Sequence, residues 1–224
     1  MDDITVRRVN YGYFVRPAEE TGTGAPRVEP TFGYLVGHPR AGQILVDTGM
    51  GGNEEVDAWY QPTRLGLAPA LKAAGADVAD IRMVMNCHLH FDHCGGNPSL
   101  AGRPVFAQRA ELELVRAVES HTFPELVDHP GARIEELDGE AEIAPGVFIL
   151  PTPGHTAGHQ SLVIRRNDGV VIVAGQSHDN ANLFTSDALG HHAGVGTQPA
   201  WLDRLLRMDP RQIWFAHDNA VWTP

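Results

Sequence analysis

The sequence predicts a layered α/β domain, on three observations. Short apolar runs of strand length recur along most of the chain, stretches of helical spacing interrupt them, and the side chains with chemical potential collect where the apolar runs end. At 224 residues the chain can bury one sizeable core, and without a composition break residues 1–224 are expected to form a single domain.

The elements follow in order. Residues 4 to 15 and 32 to 38 alternate, with β-branched and aromatic side chains, and read as strands; Gln43-Ile44-Leu45-Val46 is a third, ending at Asp47. Between the first two, Pro17 to Pro30 is rich in Gly, Pro, Glu and Thr and is expected to be a surface loop that can overhang a pocket. Leu67, Ala70, Leu71 and Ala74 recur at helical spacing and stop at Gly75, after which Ile81 to Met85 is a short apolar strand. Pro104 to Ala107 is another, followed by a helix from Arg109 to Glu119 with Leu112, Val115 and Val118 turned inward. Further strands are expected near 134–137, 147–150, 161–166 and 170–174. The Gly-, Asn- and His-rich segment 176–198 has no period and reads as a long loop with one short helix at most. Trp201, Leu202, Leu205 and Leu206 mark a helix, and Ile213 to Ala216 a last strand that delivers His217.

Composition narrows the function classes. There are 28 acidic and 17 basic side chains, a formal net charge of -11, so a nucleic acid backbone or an anionic membrane would be repelled. Neither is expected as a partner; a small-molecule substrate is. The N-terminal residues have no apolar run behind a basic cluster, and no apolar stretch reaches membrane-spanning length, which gives the expectation of a cytoplasmic protein. Cys87 and Cys94, the two cysteines, flank one His/Asp run and are expected to be reduced thiols packed beside it.

That run carries the chemistry. His88-Leu89-His90-Phe91-Asp92-His93 puts three imidazoles and a carboxylate just after a strand, where a turn can make them converge, and these are ligands a catalytic zinc accepts. His155, in Gly154-His155-Thr156-Ala157-Gly158-His159, and His217 also follow apolar strands and are the candidates to complete the set. The same donors accept zinc, iron, manganese or cobalt, so one or two divalent ions are expected, zinc first. Phe14, Phe32, Tyr34, Met50, Trp59 and Phe184 fall in or beside loops near strand ends and are candidates for a pocket wall. His191 and His192 are read as surface residues or part of a lid, and Trp59 and Tyr60 as a patch through which a homodimer could form.

The order His-x-His-x-Asp-His, Gly-His-Thr, a strand ending near 175 and a terminal His resembles the metallo-β-lactamase superfamily, as does Asp47-Thr48-Gly49-Met50 after the third strand. Within it, His88 to Asn97, Gln108-Arg109-Ala110-Glu111 and Gly154 to Ser161 are similar to the N-acyl homoserine lactonase group, over roughly residues 32 to 218. The resemblance implies an αββα sandwich in which His88, His90 and His155 hold one metal and Asp92, His93 and His217 a second. It also implies attack of a metal-bound hydroxide on an ester-like carbonyl, a lactone above all, with Asp92 fixing the hydroxide and passing its proton to the leaving alkoxide.

One position departs from the pattern. Where the family usually has an Asp bridging the metals, this chain has Gln176, after Val170-Val171-Ile172-Val173-Ala174-Gly175. A neutral amide in that place leaves three possibilities: weak coordination by Gln176 in a two-metal site, a one-metal site, or substitution by His178 or Asp179. The Tyr that the lactonase pattern often places shortly after the bridging Asp is also missing from Ser177 to Leu183. The alternatives to a lactonase are a thioester, phosphodiester or β-lactam hydrolase of the same fold, or a degenerate domain that only binds.

Overall fold

The computed structural model describes residues 3–224, and its organisation follows from how the apolar residues of each strand divide between two faces. The strands of the first sheet are β1 (Thr5–Arg16), β2 (Arg27–His38), β3 (Gly42–Val46), β4 (Thr63–Arg64), β5 (Ile81–Met85), β6 (Val105–Gln108) and β7 (Ile134–Leu137). Those of the second are β8 (Ala141–Ala144), β9 (Val147–Pro151), β10 (Gln160–Arg166), β11 (Gly169–Gly175), β12 (Pro210–Phe215) and β13 (Val221–Trp222). Their spatial orders are β4-β1-β2-β3-β5-β6-β7 and β13-β12-β11-β10-β9-β8.

Alternation decides which side chain goes to which layer. In β2, Tyr34 and Val36 join Ile44, Val46 and Met85 against Val147, Ile149, Leu162, Ile164, Val171 and Val173 of the opposite sheet. Leu35, between them, points outward with Leu45 and Val84 under Leu67, Ala70 and Leu71. In β11 the same rule sends Ile172 and Ala174 outward, under Phe184, Leu202 and Leu205. The outer helices are α3 (Leu67–Ala73) on the first sheet, and α7 (Ala181–Ala193) and α8 (Ala200–Arg207) on the second. Helix, sheet, sheet and helix therefore stack as the expected αββα sandwich. The shorter helices are α1 (Ala18–Thr21), α2 (Glu54–Tyr60), α4 (Phe91–Cys94), α5 (Arg109–Ala117) and α6 (Pro124–Val127). Among the described residues no helix is long and apolar enough to cross a membrane.

Four expectations are corrected. Pro17 to Pro30 is not all loop: it holds α1, and β2 already starts at Arg27, because Arg27 to Pro30 pair with Arg16 to Tyr13 across an antiparallel ladder. Segment 176–198 is not mainly loop either. Asn180 caps α7 by accepting a hydrogen bond from the Leu183 N–H at 3.0 Å, and Gly194 ends it in the left-handed conformation. Its apolar side chains do not form one stripe, since Leu183 and Leu189 are exposed while Ala181 and Phe184 are buried. Val118 lies beyond the end of α5 and is exposed rather than turned inward. Finally α2, β8 and β13 are elements that the sequence pattern did not predict.

Candidate metal centre

Every candidate ligand sits at the same edge of the two sheets. His88 and His90 lie in the turn after β5, Asp92 and His93 on α4, His155 in the turn after β9, Gln176 directly after β11 and His217 directly after β12. Gly175 makes the turn into Gln176: its φ is +58°, and a Cβ there would stand 2.4 Å from the Cβ of Cys87, so both the backbone and the space require glycine.

Two clusters result. In the first, His90 Nδ1 is 2.9 Å from His88 Nε2 and 3.2 Å from His155 Nε2. In the second, Asp92 Oδ2 is 3.3 Å from His93 Nε2 and 3.4 Å from His217 Nε2, and those two nitrogens are 3.2 Å apart. Gln176 Oε1 reaches the second cluster, 3.3 Å from His93 Nε2. Both sets have the spacing of potential metal-ion ligands, one atom per residue.

Hydrogen bonds behind the rings fix their orientation. His93 Nδ1 is 3.0 Å from Asp47 Oδ2, and His217 Nδ1 is 2.9 Å from the Pro30 carbonyl. With those Nδ1 hydrogens donated outward, the Nε2 lone pairs of both rings face inward onto a carboxylate oxygen and an amide oxygen. With both rings neutral, four acceptors converge there, a set that either a proton on His93 Nε2 or a metal cation satisfies. Asp47 does two further things: it accepts from the Cys87 N–H at 2.8 Å and lies 3.1 Å from the Cys87 sulfur. Cys87 and Cys94 are both free and buried.

The titration behaviour fits the same picture. Burial, then the neighbouring imidazoles, lowers the pKa of His88 well below its ordinary value, and burial lowers His90 to about 4 and His155 to about 3. The first cluster is thus a set of neutral nitrogen donors at neutral pH. Burial opposes the charged form of His93 too, but the Cys87 sulfur and the Asp92 and Asp47 carboxylates outweigh it and raise its pKa well above the usual range. Asp92 is likewise penalised by burial, yet His93, His217 and His90 hold its carboxyl far below the usual carboxylate range. In the bare site His93 thus keeps its proton against the ionised Asp92, and a cation bound there would take the place of that proton.

Glu111 ties the two ligand loops together. On α5 and buried, it accepts from the Leu89 N–H at 2.8 Å, between His88 and His90, and from Thr156 Oγ1 at 2.6 Å, beside His155. His121 Nε2 is 2.7 Å from the same carboxylate. The sequence holds Glu111 inside a motif but offers no signal for this bridge, which spans three separate segments.

The cavities adjoin the clusters on two sides. Phe14, Arg16, Glu20, Tyr60 and Phe91 line a space of about 120 Å³ with His90, Asp92, His155 and Gln176. Next to it a groove of about 910 Å³ is lined by Val56, Trp59, Tyr60, Phe91, His121 and Phe123 among others. Of the pocket-wall candidates, Phe14 and Trp59 border these spaces. Phe32 and Tyr34 belong to the core between the sheets and Phe184 to the core under α7; Met50 borders neither space. Arg16, Glu20, Tyr60 and Phe91 carry no sequence signal as wall residues, since only the fold brings the end of β1 together with α1, α2 and α4. On the other side, His178 Nε2 lies 3.3 Å from Asp187 of α7, and both line a space of about 360 Å³ with His155, Gln176 and Asp179; His178 is in neither cluster. His191 lies on α7, 3.1 Å from Asp203 of α8, and joins those helices rather than forming a lid over the site.

A family model for the metallo-beta-lactamase superfamily matches residues 26–217. An N-acyl homoserine lactonase from a Bacillus species is 33% identical over 209 residues, covering 84% of this chain and 81% of the relative. The N-acyl homoserine lactonase AttM of Agrobacterium fabrum is 29% identical over 166 residues, 64% of this chain and 63% of its own. Among solved structures, an N-acyl homoserine lactone hydrolase with the product N-hexanoyl-L-homoserine bound at its catalytic metal centre superposes with a TM-score of 0.79. That pair shares 26% identity, with 98% of this chain and 95% of the other covered.

Proposed function

The chain belongs to the metallo-β-lactamase superfamily, and from that premise we propose that it is a metal-dependent hydrolase that opens lactones of the N-acyl homoserine type, the whole chain acting as one domain. The observation that carries the substrate class is the groove beside the ligand clusters. Its walls of Val56, Trp59, Phe91 and Phe123 suit an acyl chain, and the relatives matched over most of the chain are named for that substrate. A net charge of -11 fits a neutral lactone better than a phosphodiester.

In this reading His88, His90 and His155 hold one divalent ion and Asp92, His93 and His217, with Gln176, hold another, zinc being the first choice before iron, manganese or cobalt. Bound there, such ions supply water activation near neutral pH and polarisation of the ester carbonyl. The protein's own groups do the rest. The groove holds the acyl chain so that the ring carbonyl meets the clusters, and Glu111 keeps both ligand loops in register. The oxygen of water adds to the carbonyl carbon, the ring C–O bond breaks, and Asp92 passes the proton released by the water to the departing alkoxide.

The test is hydrolysis of N-hexanoyl- and N-decanoyl-homoserine lactone, alongside a thioester, a phosphodiester and a β-lactam, by zinc-loaded protein. Lactone turnover at least ~100-fold above the other classes is expected. Turnover confined to another class would replace the substrate assignment, and Asp92→Ala with metal retained and unchanged turnover would remove the proton-transfer role.

A further inference from the structure

We propose that Asp179 is a positioning residue for the second cluster: it fixes the Gln176 side-chain amide with its oxygen towards Asp92, His93 and His217. The proposal rests on the two-metal reading above. It answers a chemical problem that an Asp in this place would not have. The two ends of a carboxylate are equivalent, whereas an amide has one end that can ligate a cation and another, nearly the same size, that repels it. A glutamine therefore serves as a ligand only where something selects its orientation.

Asp179 has the right properties. Gln176 Nε2 donates to Asp179 Oδ1 at 3.4 Å while Gln176 Oε1 faces the cluster. An ionised carboxylate only accepts, so it takes the NH₂ end and rejects the flipped amide. It is itself held from behind: Arg27 donates to Asp179 Oδ2 at 2.9 Å, and Arg27 Nε donates to Glu29 Oε1 at 2.6 Å. Glu29 is buried and also accepts from Arg16 Nε at 2.8 Å, so the chain of partners ends in the sheet rather than in solvent. The main chain of Gln176 is anchored as well, its N–H donating to His159 Nε2 at 3.1 Å. Asp179 does not replace the missing carboxylate as a ligand, because its oxygens are committed to Arg27 and to the amide. It belongs to none of the groups of potential ligands found among the described residues.

The experiment is a zinc titration of chelator-stripped full-length protein, with bound metal counted by plasma mass spectrometry and a parallel cobalt titration followed by visible absorption. The wild type is expected to bind two ions. Asp179→Ala and the isosteric Asp179→Asn should bind the first as before and the second about 10- to 100-fold more weakly, as loss of a group that orients a ligand typically does. Retention of the first ion shows that the variants are folded. The decisive comparison is with Gln176→Asp, whose carboxylate needs no orienting: adding Asp179→Ala to it should change second-site affinity by less than about 3-fold. Unchanged second-site binding in both Asp179 variants would overturn the inference and leave the two-metal reading standing, as would an equally large loss in the Gln176→Asp background. A wild type that binds one ion even in excess metal would overturn both.

Discussion

Removing the Glu111 carboxylate should cost more stability than removing any other single polar group near the site, and the amount can be worked out from its three donors. The side chain is 1% exposed. In Glu111→Ala the Leu89 N–H, in a fully buried residue, has no route to water and should cost ~2 to 3 kcal/mol. Thr156 can rotate its hydroxyl and His121 borders the groove, so each should cost nearer ~1 kcal/mol. The expected total is about 4 to 5 kcal/mol, a large part of the ~5 to 15 kcal/mol typical of a folded domain. Glu111→Gln should lose only about 1 to 2 kcal/mol, since its amide oxygen can still accept from Leu89 and His121 and its NH₂ can donate to the Thr156 oxygen. Urea unfolding of metal-stripped protein at pH 7.5 measures both variants without the stabilisation that bound metal adds. The effect should also depend on pH. Burial opposes ionisation of Glu111, but the hydrogen bonds from His121, Thr156 and the Leu89 N–H outweigh it, so its folded pKa is lowered. Its contribution is therefore present above the unfolded value of about 4.3 and is lost as pH falls through the folded pKa. A Glu111→Ala loss below about 1 kcal/mol, or an equal loss in Glu111→Gln, would refute this account of the bridge.

Further outcomes are expected. Gln176→Asp should tighten binding of the second metal by at least ~10-fold, because it restores a charged ligand; calorimetric titration with zinc checks it. Metal-stripped protein should weaken in acid through His159, whose pKa burial lowers from 6.5 to about 4. The unfolded chain binds that proton first, so up to ~3 kcal/mol present above pH ~6.5 is lost by pH ~4, and urea midpoints across that range should fall in the wild type more steeply than in His159→Gln. Leu205→Ala, on the buried face of α8 in the core outside the second sheet, should cost about 2 to 5 kcal/mol without changing metal content, as read from melting and metal analysis. Trp59→Ala should raise KM for a ten-carbon acyl lactone more than for a six-carbon one, since it shortens the apolar wall of the groove; equal effects on both would place the chain elsewhere.

What was legible in the sequence depended on how far apart the cooperating residues lie. His88, His90, Asp92 and His93 announce themselves because three histidines and an aspartate within six residues after a strand have few other uses, and the strand ends point to His155 and His217. The sandwich was legible through strands such as β2 and β11, apolar on both faces because each lies between a second sheet and a helix. The elements without a sequence signal lack a period of their own. Arg27 to Pro30 looked like loop because charges and a proline hide a strand end that only its partner Tyr13 to Arg16 specifies. Helix α7 was hidden by its mixed faces, although Asn180 and Gly194 mark both its ends. These same segments support the second cluster: Pro30 through His217, Arg27 through Asp179. A ligand motif can thus be read locally, whereas the partners that orient it come from distant parts of the chain. For that reason the orientation of Gln176, the residue that departs from the family pattern, depends on Asp179 and Arg27 behind it, which no local motif announces.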